Sequence, residues 1–298
     1  MAIGSVDVFA AIEPVANRTF YGAKPKVEEL QYPKIFKVSS TDSPTKSSVE
    51  FGGPGLFAYK AENAPMEQKR INQGPIKTWT AATYAAAMVV SREMVDDVRY
   101  GELKEMFRSV GRGGEVTPEY LCRDFLERSF DTAYPATADG KPVFSSTHLL
   151  PDGSTASNVL ATPSALDETS IEDIMTQMRT AVGPDGLRTP QIAKQIIVPS
   201  ALWAWAKKLS ETPNQVGSNN NDVSVIKGFN VVVFDYLTNQ TRWFVQTKAE
   251  NGLFWDWRQK LTLDKDQVVN TLQNIYVAWF RARWGVGDWR SIYGVNAA

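Results

Sequence analysis

Trp79-Thr-Ala-Ala-Thr-Tyr-Ala-Ala-Ala-Met-Val-Val-Ser91-Arg-Glu-Met-Val-Asp-Asp97 is the stretch whose reading decides the fold. Ile76 to Thr80 and the apolar run to Val90 predict a strand that enters the body of the protein. Ser91 then caps a helix whose inner face falls at Val95, Val98, Leu103, Met106, Phe107 and Val110. Gly111-Arg-Gly-Gly114 reads as a break, because G-x-x-x-x-G-K-[ST] and a Rossmann glycine pattern are both missing. A second helix is expected from Thr117 to Tyr134, with Thr117 as N-cap, Pro118 in the first turn and Glu119 near the positive end of the dipole. Its buried stripe is Leu121, Cys122, Phe125, Leu126, Phe130 and Ala133. Arg123, Asp124, Glu127, Arg128 and Asp131 face outward.

Upstream, residues 1–33 contain Pro14, Gly22, Pro25 and Pro33 and read as an extended arm. Lys34 to Ser40 suits a strand. Thr41 to Pro75 is rich in proline and glycine, with few large apolar residues to bury. An irregular connection above about 15 residues is uncommon unless it has a function. Downstream, Asp139-Gly140 and Asp152-Gly153 predict turns, and Ser170 to Val182 predicts a helix with Ile171, Ile174, Met175, Met178 and Val182 on one face. Gln195 to Val198 reads as a buried strand and Pro199 to Leu209 as a helix carrying Trp203 and Trp205. Asn219-Asn-Asn221 marks a surface loop. Val231–Phe234 and Trp243–Val245 read as a hairpin-like pair, with Leu253–Leu263 and Val268–Arg283 as closing strands. The sum is an α+β chain.

The 298 residues are 43% hydrophobic and 22% charged, the composition of a folded globular protein. With 32 basic and 33 acidic side chains the net charge is -1, which gives no global attraction to nucleic acid or to an anionic membrane. Cys122 is the single cysteine, so an intrachain disulfide and a multi-cysteine zinc site are excluded and a reducing compartment fits. No secretory signal or run of about 20 apolar residues is visible, and a soluble intracellular product is expected. His148 lies in Ser145-Ser-Thr-His148, but without a nucleophile elbow it reads as a loop histidine. Trp255-Asp256-Trp257 and Asp288-Trp289 leave open a carbohydrate-binding or carbohydrate-active protein, with core and interface aromatics as the favoured reading. No enzyme activity, catalytic residue, cofactor or metal is expected.

The 79–97 stretch resembles major capsid proteins of tailed bacteriophages with the Hong Kong 97 fold. There, a strand leaves an extended loop and an S-R-x-x-x-D-D-like turn enters the helical part of the peripheral domain. Ala138-Asp-Gly-Lys-Pro-Val-Phe-Ser-Ser-Thr-His148, followed by Asn158-Val-Leu-Ala161, is similar to the D-G-K-P-L-F-s-x-x-H segment of phage Mu-type major head subunits. So are Ile196-Ile-Val-Pro-Ser-Ala-Leu202 and Trp284-Gly-Val-Gly-Asp-Trp-Arg-Ser-Ile-Tyr-Gly294.

The resemblance implies an N-terminal arm at 1–33 and an extended β loop at 41–80. It implies a peripheral domain at 34–40, 81–150 and 251–277, with a spine helix at about 117–134 and its core at Leu121, Phe125, Leu126 and Phe130. The axial domain would take 151–250 and 278–298. A loop strand pair of about 17 residues would reach over about 50 Å at roughly 3.3 Å per residue.

Hexamers and pentamers closing an icosahedral head around double-stranded DNA are implied, with Lys60, Glu62, Glu67, Lys69 and Arg70 as candidate intersubunit contacts. A portal and possibly a decoration protein would be further partners, with no membrane. Nothing before Lys34 resembles a cleaved scaffolding segment, so a separate scaffolding protein is expected. Gln267 falls where some relatives have a crosslinking asparagine, and a non-covalent shell is expected. Another virion part, such as a tail or decoration protein, is a further alternative. The expected location is the virion, assembled in the bacterial cytoplasm.

Overall fold

Alternation along Gln273–Val286 shows how sequence becomes sheet. Tyr276, Ala278, Phe280 and Ala282 are buried, while Ile275, Val277, Trp279 and Arg281 between them are only partly covered, the signature of a strand with one packed face. In the computed structural model the described residues are 5–23, 29–63, 65–69, 71–97, 100–212, 226, 228–249, 251–268 and 273–297. Arg70, Val98, Asn219 to Asn221 and the Gln267 side chain, each named above, lie outside them.

In chain order, helices α1 (Ser5–Gly22) and α2 (Tyr32–Ile35) lead to strands β1 (Lys37–Ser40), β2 (Thr45–Gly52), β3 (Asn72–Thr80) and β4 (Ala82–Ser91). Helices α3 (Arg92–Asp96) and α4 (Tyr100–Arg128) follow, then the short strands β5 (His148–Leu149) and β6 (Thr155–Ala156) and helix α5 (Glu168–Arg179). Next come β7 (Ala193–Val198), α6 (Trp203–Glu211), β8 (Asn230–Val233) and β9 (Trp243–Thr247). The long strands β10 (Leu253–Val268) and β11 (Gln273–Val286) and the short β12 (Ile292–Val295) close the chain.

Among the described residues a first sheet runs β1-β10-β11-β4 and a second β12-β9-β7-β8. Strands β2 and β3 pair only with each other, Thr45 opposite Thr80 and Gly52 opposite Asn72. A first core joins the inner face of the first sheet to α4 through Cys122, Phe125, Leu126, Trp255 and Phe280. A second joins α5 and α6 to the second sheet through Ile171, Ile174, Met178, Ile196, Val198, Trp243 and Val245. Each such large apolar side chain contributes about 1.5–3 kcal/mol when fully buried.

Three expectations are corrected. Residues 5–22 are helical, not extended. Ala16 and Phe20, one helical turn apart, are fully buried, and packing of α1 on α4 outweighs Pro14 as a breaker.

The central helix begins at Tyr100, not Thr117, and ends at Arg128, running unbroken through Gly111, Gly113, Gly114 and Pro118. A glycine inside a helix costs about 1 kcal/mol against alanine. Here the glycines permit contact: a Cβ on Gly111 would lie 2.6 Å from the Phe20 carbonyl oxygen, and one on Gly114 would lie 2.7 Å from a Leu261 methyl. Thr117 is no cap; its hydroxyl donates to the Gly113 carbonyl at 2.7 Å. Glu119 serves a different helix, its carboxylate accepting from the backbone N–H of Gln31 (2.7 Å) and of Tyr32 (3.0 Å) at the start of α2. Of the predicted stripe, Cys122, Phe125 and Leu126 are buried and Leu121 and Phe130 partly so, Phe130 lying beyond the helix end. Ala133 is exposed.

Strands β8 and β9 are not partners, because β7 lies between them, parallel to β8 and antiparallel to β9. Strand β11 continues in the first sheet to Val286. The α5, β7 and α6 expectations match within a few residues. Both predicted Asp-Gly turns place glycine in the left-handed region, Gly140 at φ 73° and Gly153 at φ 86°.

Candidate functional site

Strands β2 and β3 carry a loop at 53–71 that has little secondary structure of its own. At about 3.3 Å per residue the eight- and nine-residue strands give roughly 30 Å of paired length, shorter than the 50 Å expected. The tip is apolar: Phe57 is 90% exposed and Tyr59 94%, with Leu56, Met66 and Ile71 also open. Phe57, Tyr59 and Met66 border a concavity of about 570 Å³ beside Pro54 and Pro65. Exposed apolar side chains grouped this way on a monomer mark an interaction surface. Of the charges expected from sequence, Lys60, Glu67 and Lys69 line it. The Lys69 ammonium donates to the Leu56 carbonyl at 2.5 Å and lies 4.0 Å from Glu67, so it braces the tip internally. Lys60 and Glu62 are exposed. The apolar tip was the stronger signal, present in the sequence as Leu56-Phe57-Ala-Tyr59.

The root of this loop is tied to both sheets. Asp256, 3% exposed, meets the Arg283 guanidinium at 3.1 Å, the Lys46 ammonium at 3.3 Å and the Ser39 hydroxyl at 2.5 Å. Burial raises its carboxyl, but the hydrogen bonds from Ser39 and Arg283 and the charge of Lys46 outweigh this and hold it below the usual aspartate range. Arg290, 2% exposed, binds Glu50 of β2 at 2.7 Å and Asp288 at 3.1 Å, and its Nε donates to the Val182 carbonyl. Trp79 packs edge-on against Phe254, over a Gly285 with no room for a Cβ. The Ser48 hydroxyl donates to the Gly287 carbonyl.

Those contacts explain Trp284-Gly-Val-Gly-Asp-Trp-Arg. Gly285 admits Trp79, Asp288 caps the following turn through the Arg290 N–H, and Trp289 packs on His148 and Arg290. The His148 ring stacks at 4.2 Å and 10°, and the Arg290 guanidinium lies 4.3 Å from the indole. The Asp139 and His148 of the D-G-K-P segment are likewise partners: Nδ1 lies 2.8 Å from the Asp139 carboxylate and Nε2 3.1 Å from the Val143 carbonyl. With both ring nitrogens engaged and no hydroxyl beside them, His148 fastens a loop. Trp255 is fully buried and the carboxylates of Asp256 and Asp288 are ion-paired, so these motifs offer no carbohydrate floor. Among the described residues no three His, Cys, Asp or Glu side chains form a metal-ligand group, and no helix is long and apolar enough to cross a membrane.

Burial alone would raise Asp139, but hydrogen bonds from His148, Thr137 and the Leu149 N–H bring its pKa down to about 2. A carboxyl depressed below its unfolded value of about 3.9 contributes stability above that pH and loses it as pH falls toward 2. The contribution is of the order of 2–3 kcal/mol at pH 5. Urea melts of wild type and Asp139→Asn should therefore differ by that amount at pH 5, with the gap closing as pH falls through about 2. A gap independent of pH would refute the assignment.

A sequence profile of the family described as phage capsid protein matches residues 76–295, from within β3 to the end of β12. The chain belongs to the phage capsid protein family. Curated proteins yield no match to this capsid protein. Among solved structures, one from Microbacterium phage Oxtober96 is 11% identical, covers 92% of this chain and 93% of its own, and has a TM-score of 0.53. The capsid of Myoviridae phage XM1 is similar at 11% identity, with 93% and 95% covered and a TM-score of 0.53. The procapsid of bacteriophage JBD30 is similar at 13% identity, with 98% and 76% covered and a TM-score of 0.51. At such identities the likeness establishes the fold, which is of the Hong Kong 97 type. Family and fold together make the chain a major capsid protein, a structural component of the virion.

Proposed function

We propose that copies of this capsid protein form hexamers and pentamers that close an icosahedral shell around double-stranded DNA, each copy laying its β2–β3 loop over the next. The observation that carries the reading is the apolar tip, Phe57 and Tyr59 above all, held out on a root fastened by two buried ion clusters. A surface so expensive to expose in water is stabilised when a neighbour covers it, and repeated identical contacts close under symmetry.

In this reading the first sheet with α4 is the peripheral domain, the second sheet with α5 and α6 is the axial domain, and α1 belongs to the N-terminal arm. A separate scaffolding protein and a portal complete the head, with a decoration protein as an optional addition, and it assembles in the host cytoplasm without covalent crosslinks and without enzymatic activity of the subunit.

Electron microscopy of the expressed chain, with scaffold supplied if required, tests this. Closed shells are expected from wild type, and at least tenfold fewer from Phe57→Ser/Tyr59→Ser. Neutralising Lys60 and Glu62 should change yield less than twofold, since an exposed pair contributes below about 1 kcal/mol. Tubes, rings or a stable monomer from the wild type would overturn the proposal.

A further inference from the structure

Four lysines of this nearly neutral chain line one concavity. Lys34 and Lys37, flanking the entry to β1, meet Lys194 at the start of β7 and Lys248 after β9 around a hollow of about 500 Å³. All four are exposed, and among the described residues no aspartate or glutamate lines the hollow. Lys37, Gly252 and Leu253 also border a second hollow of about 500 Å³ that continues along β1 to Lys46. The one carboxylate there, Asp256, is already neutralised by Arg283 and Lys46. A chain with net charge -1 thus carries a continuous basic track across the junction of its two sheets.

The chemistry of the lining selects the ligand. Arginine is absent from both hollows, so there is no planar fork for paired recognition of a carboxylate or a guanine edge. The aromatic rings in the lining, Phe36 and Phe254, are 1% and 5% exposed, leaving no face on which a base can stack. Ile35 and Leu253 are equally buried, so the track offers little apolar surface to anchor a peptide. What remains is a row of ammonium groups on flexible stems, suited to phosphates spaced along a rigid polyanion and read without regard to sequence.

We propose that this track, Lys34, Lys37, Lys194 and Lys248, is the docking surface for the phosphate backbone of double-stranded DNA, and so marks the genome-facing side of the subunit. The assignment rests on the shell reading for the presence of DNA, although its test does not require a shell.

Fluorescence anisotropy of a labelled 20-base-pair duplex (about two helical turns) with the unassembled full-length chain provides that test. Each lysine that neutralises a phosphate adds about 0.9 to the steepness of log K against log salt. The Lys34→Gln/Lys37→Gln/Lys194→Gln/Lys248→Gln variant should bind at least tenfold more weakly at low salt, with a slope shallower by about 3.6. Lys207→Gln/Lys208→Gln on α6 should change neither. Binding by the fourfold variant within twofold of wild type, or an equal loss in the α6 variant, would overturn the proposal. So would tighter binding of polyglutamate than of duplex, which would assign the track to an acidic protein segment. Thermal melts matching wild type establish that the fourfold variant is folded. Failure of the wild type to form shells would count against the shell reading alone.

Discussion

Replacing Asp256 by alanine is expected to lower the unfolding free energy by about 3–5 kcal/mol, the usual cost of stripping a partner from a buried charge. The Arg283 guanidinium would keep only the Ser43 carbonyl, at 3.2 Å, while remaining 5% exposed. Ser39 on β1 and Lys46 on β2 would lose their common acceptor in the same change. Replacing Arg283 by methionine should cost less, because Asp256 would still have Lys46 and Ser39. Urea unfolding of the two variants checks the order. A loss below about 1 kcal/mol for Asp256→Ala would show that water reaches the cluster. Because the cluster fastens the loop root, Asp256→Ala should also reduce shell yield at a temperature where the subunit is still folded.

Asn158→Leu is expected to cost about 3–6 kcal/mol, although it exchanges one side chain for another of similar size. The Asn158 amide is fully buried and serves four backbone groups: its two N–H bonds are shared among the carbonyls of Val143 (2.7 Å), Trp289 (3.2 Å) and Ile292 (3.1 Å), and its oxygen accepts from Ser145 N–H (2.9 Å). Each buried group left without a partner costs about 1–3 kcal/mol. Asn158→Asp retains the acceptor but sets a negative charge against three carbonyls, and should be at least as damaging. Chemical denaturation measures both; a midpoint for either close to that of wild type would mean that the segments can re-pair without the side chain.

Local patterning made much of this molecule legible. Alternation announced β11, and helical spacing of Ile171, Ile174 and Met178 announced α5. The long connection at 41–75 required a purpose, and it became the hairpin. The errors share a physical cause. Pro14, Gly111, Gly114 and Pro118 were read as punctuation, a property of the isolated chain. Their outcome was decided by partners distant in sequence, Phe20 and Leu261 for the glycines and α4 for the helix containing Pro14. Strand neighbours were likewise illegible where β7 inserted between β8 and β9.

The candidate site divides the same way. Exposed charges on the loop were visible but carry little energy. Glu50 with Arg290 and Lys46 with Asp256 emerge as partners only once residues more than 200 apart in sequence are brought together, and Asp256 meets Arg283 through the register of β10 on β11. Asn158 stood within a quoted motif, yet nothing local shows that one amide would bind three carbonyls.

Strand β1 lies at one edge of the first sheet and β4 at the other, yet the chain passes from the first to the second by way of the β2–β3 loop. Only Ala81 separates β3 from β4. Tension applied at the loop tip therefore enters the sheet at both margins together, through strands that straddle β10 and β11. On the β4 side it would load the ladder from Ala82–Ala282 to Ser91–Gln273 as a set instead of peeling it bond by bond. In the proposed shell, stretching the wall would then draw on many backbone bonds at once.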